Sequence, residues 1–181
     1  MELLMNKFKY IIFSLLIITA FSSCNNTDNL TAIFTSNGKK LTVIARQGSR
    51  GPVPVMDYWA ENDKEGIKKS NDLLINPDNY HLTFDGIEDN GKMEGNFSAK
   101  AVQSSFSGKW QADGKSGKIS LSISQGMNTK ESDPLAKAFV KALQHTYKYK
   151  GDRHNLYLYF TEGQTKDKFL VLHNRKDESK K

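Results

Sequence analysis

Residues 92–100 have the sequence Lys-Met-Glu-Gly-Asn-Phe-Ser-Ala-Lys, and this stretch decides the fold. Its apolar and small residues, Met93, Gly95, Phe97 and Ala99, alternate one by one with polar residues. A period of two places successive side chains on opposite faces of an extended strand. Since one face would be apolar and the other polar, the stretch predicts a half-buried antiparallel strand.

Three neighbouring segments carry the same signals. Residues 80–84 place Tyr80, Leu82 and Phe84 on one face of a strand, and residues 106–112 and 118–124 alternate in the same way. Glycine and aspartate or asparagine stand between the segments, as tight turns require. The region from residue 80 to residue 124 therefore predicts four strands in a meander.

One helix is predicted at residues 134–147. Asp133 is a capping residue, and Pro134 fits the first helical turn, where its missing N–H is not needed. The apolar residues recur with the spacing of one helical face, at Leu135, Ala138, Phe139, Ala142, Leu143 and Tyr147. We expect this helix to pack on the sheet and close one side of the core.

Two hairpins are predicted at the ends of the domain. The first pairs residues 30–35 with 41–46 through Ser36-Asn37-Gly38-Lys39, and the last pairs residues 155–161 with 168–174.

The segments after the first hairpin are less regular. Residues 47–54 contain two glycines and two prolines and predict a loop. Residues 56–69 are either a short helix that carries Tyr58 and Trp59 or an irregular segment that tucks those rings into the core.

Together these elements predict a mainly β (α+β) domain. The sheet is either an antiparallel meander or a partly open barrel, with one packed C-terminal helix.

The N-terminus has the construction of a lipoprotein signal peptide. Lys7 and Lys9 precede an apolar run at residues 10–19, which is about half of the roughly 20 residues that a membrane-spanning helix needs. Phe21-Ser22-Ser23-Cys24 then resembles the lipobox of bacterial lipoproteins, in which the cysteine receives lipid. Cys24 is the predicted lipidation site, so the membrane is a predicted partner and the cell envelope the predicted location, on the outer membrane and at its periplasmic or surface face.

These features divide the chain into four parts. Residues 1–23 are the signal peptide, 24–29 the lipidated cysteine and a polar tether, 30–174 a single β domain, and 175–181 a charged tail. The formal net charge is +6 and Cys24 is the sole cysteine, so the domain forms no internal disulfide.

The order of features from residue 76 to residue 174 resembles the META domain family, the HslJ-like proteins of bacterial envelopes. Residues 76–84, NPDNYHLTF, are similar to that family's Pro-x-x-Tyr-x-Leu-x-Phe strand, and residues 91–95 to its Gly-x-x-x-Gly turn. Residues 105–110, Thr129 with the helix from Pro134, and the hairpin at Leu156–Leu158 and Phe169–Val171 occupy the family's later positions. The family's cysteines and its Cys-Asn pair are absent, so no disulfide or site is carried over.

The resemblance implies a non-catalytic domain that acts as an envelope interaction or maintenance module. The alternative is a small-ligand-binding, lipocalin-like barrel lipoprotein. His81, His145, His154 and His173 lie on separate elements without metal-ligand spacing, so neither a metal site nor a cofactor is predicted, and no catalytic motif stands out.

Aromatic and basic residues interleave near the end of the helix and in the last hairpin. Tyr157 and Tyr159 alternate with Leu156, Leu158 and Phe160, which predicts that the two tyrosines lie on the outer face. With Lys148, Lys150 and Arg153 they form a candidate interaction surface. In an exported lipoprotein we expect the ligand to be an anionic glycan, a lipid or another envelope protein, and not a nucleic acid. The alternative interpretation is an ordinary solvated outer face.

Overall fold

The computed structural model describes residues 29–35, 38–126 and 131–175. It contains ten strands: β1 (Lys39–Gly48), β2 (Gly51–Pro54), β3 (His81–Phe84), β4 (Ile87–Asp89), β5 (Lys92–Lys100), β6 (Ser105–Asp113), β7 (Lys118–Gln125), β8 (Thr146–Gly151), β9 (Asn155–Glu162) and β10 (Thr165–Asn174). The three helices are α1 (Leu30–Phe34), α2 (Lys64–Ile75) and α3 (Pro134–Gln144).

Eight of the strands form a closed antiparallel barrel, in the ring order β1-β10-β9-β8-β7-β6-β5-β3. The ring closes where β1 pairs with β10 on one side and with β3 on the other. The predictions of a mainly β fold and of the 80–124 meander are confirmed, but the meander sheet or partly open barrel is in fact a closed barrel. Closure pairs strands from the two ends of the domain, and strand periodicity carries no information on such distant pairing.

The barrel interior is filled by the inward residues of the alternating strands. Met93, Phe97 and Ala99 on β5 are buried as their alternation predicts. Gly95 lies on the same face. It is a glycine because Asp85 and Gly86 pass close to it, and a Cβ atom on residue 95 would collide with the Asp85 carbonyl. This crossing separates β3 from β4, which both pair with β5.

Helix α1 plugs one end of the barrel. Phe34 lies among the rings of Phe84, Trp110 and Tyr149, with centroid separations of 5.1, 4.6 and 4.9 Å. The prediction of a strand over residues 30–35 is therefore wrong. Leu30, Ile33 and Phe34 have the i, i+3, i+4 spacing of a helix face.

Helices α2 and α3 cover the opposite end. Asp133 caps α3 as predicted, since its side chain accepts a hydrogen bond from the Ala136 N–H. The helix ends at Gln144 and not at Tyr147. The His145 N–H closes the last turn, and the Thr146 hydroxyl donates to the Ala142 carbonyl before the chain enters β8.

Residues 47–54 differ from their prediction, whereas residues 56–69 follow one of the two predicted alternatives. Residues 47–54 form the end of β1 and the strand β2, and not a loop. The N–H of Val55 donates to the Ile44 carbonyl, so the backbone nitrogens of Pro52 and Pro54 point away from β1. Of the ambiguous residues 56–69, only those from Lys64 onward are helical. Tyr58 and Trp59 precede this helix and are partly buried against the core, as the irregular alternative predicts.

Candidate functional site

Tyrosines and lysines share the outer face of β8 and β9, which we call the tyrosine–lysine face: Tyr147, Lys148, Lys150, Tyr157 and Tyr159. Lys148 pairs across the strands with Tyr159, and Lys150 pairs with Tyr157. Directly opposite residues on one face of a sheet have Cβ atoms about 5 Å apart. The sheet therefore brings together the four residues predicted from sequence on these strands.

Arg153, the fifth predicted residue, lies in the turn between β8 and β9. Its carbonyl accepts a hydrogen bond of 2.8 Å from the side-chain amide of Asn174. This contact holds the β8–β9 turn against the end of β10, at the edge of the tyrosine–lysine face.

The tyrosine rings rest on a second apolar cluster outside the barrel. Leu156 and Leu158 are fully buried inside, and Tyr157 and Tyr159 are half-buried on the other side of β9, as the alternation predicts. The Phe169 ring lies 6.1 Å from the ring of Tyr157 and 5.1 Å from that of Tyr159. Both tyrosine rings are therefore packed against the Phe169 ring.

Sequence reasoning missed this second cluster, which contains Ala45, Phe169 and Val171. The available signal was the unbroken apolar run Phe169-Leu170-Val171-Leu172 on β10. A strand that is apolar on both faces is covered on both faces.

Three exposed lysines lie beside the tyrosines. Lys118 on β7 stands directly opposite Lys148 on β8. Both lysines and Lys150 are exposed, and among the described residues none of the three has a carboxylate within 4.0 Å. Like charges directly opposite each other destabilise a sheet. An anion bound between them would relieve this repulsion.

The Tyr159 hydroxyl keeps its proton at physiological pH. Burial raises the pKa of Tyr159, and the neighbouring Tyr147 and Tyr157 act in the same direction. This hydroxyl can therefore donate a hydrogen bond to an anion.

A groove of about 1110 Å³ continues from Tyr147 across the outer face of the barrel to β4. Its lining includes the lysines Lys92 and Lys118 and the acids Asp89, Glu94 and Asp113. A second groove of about 490 Å³ adjoins it beside Ile87 and Lys109. Both are open to solvent and lie outside the barrel.

The remaining sequence candidates do not converge. In the part of the chain that the structure describes, no three His, Cys, Asp or Glu side chains are grouped to hold a metal ion. Cys24 lies outside the described residues. Within residues 29–35, 38–126 and 131–175, no helix is both long and apolar enough to span a bilayer.

Comparison with known proteins identifies a different family from the one expected. A family model described as a domain of unknown function, DUF4847, matches residues 25–174. A crystal structure of a DUF4847 family protein from Bacteroides vulgatus superimposes with a TM-score of 0.57 at 23% identity, covering 82% of this chain and 100% of that chain. No curated protein matches the chain.

The resemblance to META domains is therefore wrong. The features that suggested it are alternating strands, glycine turns and a helix before a closing hairpin, which many antiparallel folds share. The rarer cysteines of that family are absent from this chain.

Proposed function

We propose that this chain, which belongs to the DUF4847 family of domains of unknown function, acts as a non-catalytic, lipid-anchored recognition module of the bacterial cell envelope. In this proposal Cys24 carries the lipid, and the tyrosine–lysine face binds an anionic component of the envelope.

The observation that carries the recognition role is the row of Lys118, Lys148 and Tyr159 on three neighbouring strands. Two cations that pair with no carboxylate of the described residues, next to a supported aromatic ring, are suited to a ligand with both anionic and apolar or ring surfaces. Lipid headgroups and acidic glycans have this chemistry.

The anchor is supported by the sequence alone. A basic segment, an apolar run and the tetrapeptide ending at Cys24 stand in the order that lipoprotein export requires. The five polar residues that follow would link the lipid to the folded barrel.

The anchor is tested by metabolic labelling with a fatty-acid analogue. We expect the wild-type chain to incorporate the label, and Cys24→Ser to remain an unlabelled precursor or soluble protein. Equal labelling of the two chains would contradict the proposal.

Recognition is tested by retention on isolated envelope and glycan fractions. Tyr157→Ser/Tyr159→Ser should weaken retention, and salt should weaken the lysine contribution because it shortens the screening length to under about 10 Å. Met56→Ser/Ile75→Ser removes two exposed apolar side chains elsewhere, 50% and 77% exposed, and should retain wild-type binding. Retention that neither the tyrosine variant nor salt alters would exclude this face.

The closed barrel also suits the alternative function, an internal site for a small apolar ligand. The ring of Phe34 and its aromatic neighbours occupy the interior next to α1, which favours the surface site. Stoichiometric binding of an apolar fluorescent probe by the wild-type chain, displaced by an acyl or aromatic compound, would favour the alternative.

A further inference from the structure

We propose that the barrel end plugged by α1 faces the membrane that carries the anchor, and that basic residues around this end bind anionic phospholipid headgroups. The inference rests on the proposed lipid attachment at Cys24. It names one partner, the phospholipid surface, and gives the barrel an orientation.

The tether is short. Only residues 25–29 separate Cys24 from Leu30, which is six Cα–Cα steps and about 20 Å at full extension. Leu30 and Phe34 are 3% and 1% exposed, so the start of the folded domain is fixed in the barrel end. The anchor therefore holds this end close to the lipid.

Three turns surround α1 at this end. Glu88, just before the β4–β5 turn, accepts hydrogen bonds from the Thr31 N–H and hydroxyl at 3.1 and 3.0 Å. Leu30 lies beside Gly114 in the β6–β7 turn. The Gly117 carbonyl accepts the N–H of Tyr149, which brings the turn from β8 to β9 to the same end.

These turns and the strand ends beside them carry exposed cations: Lys92, Lys115, Lys118, Lys150 and Arg153. Asp113 and Asp152 lie among them, but both carboxylates accept backbone N–H groups of their own turns. Glu88 and Asp89 are further acids at this end, so five cations stand against four acids. The surface presented to the lipid therefore has a small excess of positive charge, carried by exposed lysine and arginine side chains.

The opposite end differs in its charges. Lys168 pairs with Glu162 at 2.8 Å and with Asp57 at 3.2 Å, and Lys141 pairs with Glu162 at 3.4 Å. These are the ion pairs of the described ranges, and all lie beyond the barrel from α1. Because exposed lysines such as Lys68 and Lys137 also lie away from α1, the tether that starts at the α1 end sets the orientation and holds them away from the lipid.

We expect the domain without its lipid to bind an anionic membrane only weakly. Each lysine or arginine next to an anionic membrane strengthens binding about fivefold, and the effect fades within a screening length of about 10 Å. The tether holds the cations at high local concentration beside the lipid, so weak contacts suffice after anchoring.

The test uses residues 24–181 with Cys24→Ser, which removes the lipid but retains every described helix and strand. Co-sedimentation with vesicles compares phosphatidylcholine alone with a mixture containing phosphatidylglycerol. We expect binding only to the mixed vesicles, and loss of that binding at about 0.5 M salt.

Lys115→Glu/Lys150→Glu should weaken this binding at least about tenfold, since it reverses two charges at the proposed contact. The matched control, Lys68→Glu/Lys137→Glu, changes exposed lysines of α2 and α3 and should bind within about twofold of the parent chain. Equal weakening by both pairs, or no binding to mixed vesicles at low salt, would overturn the inference.

Orientation is measured with a polarity-sensitive dye. Because Cys24 is the sole cysteine, Lys115→Cys or Lys137→Cys in the Cys24→Ser chain gives one labelling site. Mixed vesicles should shift the emission of the dye at residue 115 to the blue and leave that at residue 137 unchanged; the reverse pattern would overturn the orientation.

Failure of the headgroup contact can be distinguished from failure of the proposed function. Lipid labelling and retention on glycan fractions would remain positive if only the headgroup contact were wrong. Loss of labelling at wild-type Cys24 would remove the anchor itself.

Discussion

The hydroxyl of Tyr80 donates a hydrogen bond of 2.9 Å to Asp133 Oδ1, which joins the beginning of β3 to the cap of α3. Oδ2 of the same carboxylate accepts the Ser70 hydroxyl of α2 at 2.6 Å. Tyr80 is fully buried and has a φ of 53°, a conformation that is costly for a residue with a Cβ atom. Asp133 thus connects both helices to the barrel end.

Removing this carboxylate should be far more harmful than removing an ordinary helix cap. Asp133→Ala loses the cap, worth about 1 kcal/mol, and leaves two buried hydroxyls without their acceptor, at about 1–3 kcal/mol each. Chemical denaturation should show a loss of about 3 kcal/mol or more. Asp63→Ala, which removes the cap of α2, should cost about 1 kcal/mol; equal losses would contradict this account.

Phe34 should be a major determinant of stability despite its place in a five-residue helix. Phe34→Ala leaves a cavity among Phe84, Trp110 and Tyr149, which we expect to cost about 3–5 kcal/mol of unfolding free energy. Thermal unfolding provides the measurement, with the exposed Ile87→Ser as control. An unchanged midpoint for Phe34→Ala would mean that α1 does not plug the barrel in solution.

Lys39 should make stability depend on pH in the alkaline range. Burial lowers its pKa to about 8, although Asp152 opposes the shift, and Nζ donates to Asn174 Oδ1. Between pH 8 and the ordinary lysine value of 10.5, the unfolded chain binds more protons than the folded chain, so stability rises with pH. Burial also lowers the pKa of Lys40 to about 8, so Lys39→Met should reduce this rise by about half.

The measurement is the unfolding free energy at several pH values between about 8 and about 10. The upper limit matters because burial and Asp133 raise the pKa of Tyr80, whose contribution is lost as pH rises above its ordinary value of 10.0. Lys109→Met, at an exposed lysine, should keep the full rise. A Lys39→Met profile parallel to the wild type would refute the role of Lys39.

The tyrosine pair should contribute modestly to stability. Tyr157→Ser/Tyr159→Ser removes two ring contacts with Phe169, each worth about 1 kcal/mol, so the domain should remain folded with a loss of about 2 kcal/mol. Circular dichroism and denaturation check this expectation. Complete unfolding would show that the rings belong to the core.

Local patterns predicted the elements whose buried face repeats regularly. Met93, Phe97 and Ala99 fixed the period of β5, and Leu135, Phe139 and Ala142 fixed that of α3. Short elements lack such repetition. Residues 30–34 hold too few residues to separate the two periods, although the cap at Asn29 and the spacing of Leu30, Ile33 and Phe34 favoured a helix.

The tyrosine–lysine face was predicted only in part. Tyr157 and Tyr159 were assigned to the outer side of β9 from their alternation with leucines. Strand β8 was missed because it follows α3 after a single residue, and Tyr147 had been included in the helical stripe. The opposition of Lys118 and Lys148 arises from pairing between strands far apart in sequence, which no local pattern contains.

The free edge of β2 has a consequence for molecules crowded on one surface. Pro52 and Pro54 stand where the backbone would otherwise point N–H donors outward, so a strand from a neighbouring copy finds carbonyl acceptors there but no donors. Copies held side by side therefore cannot lengthen one another's sheets at this edge. The two prolines therefore remove the donors that edge-to-edge pairing with another copy would use.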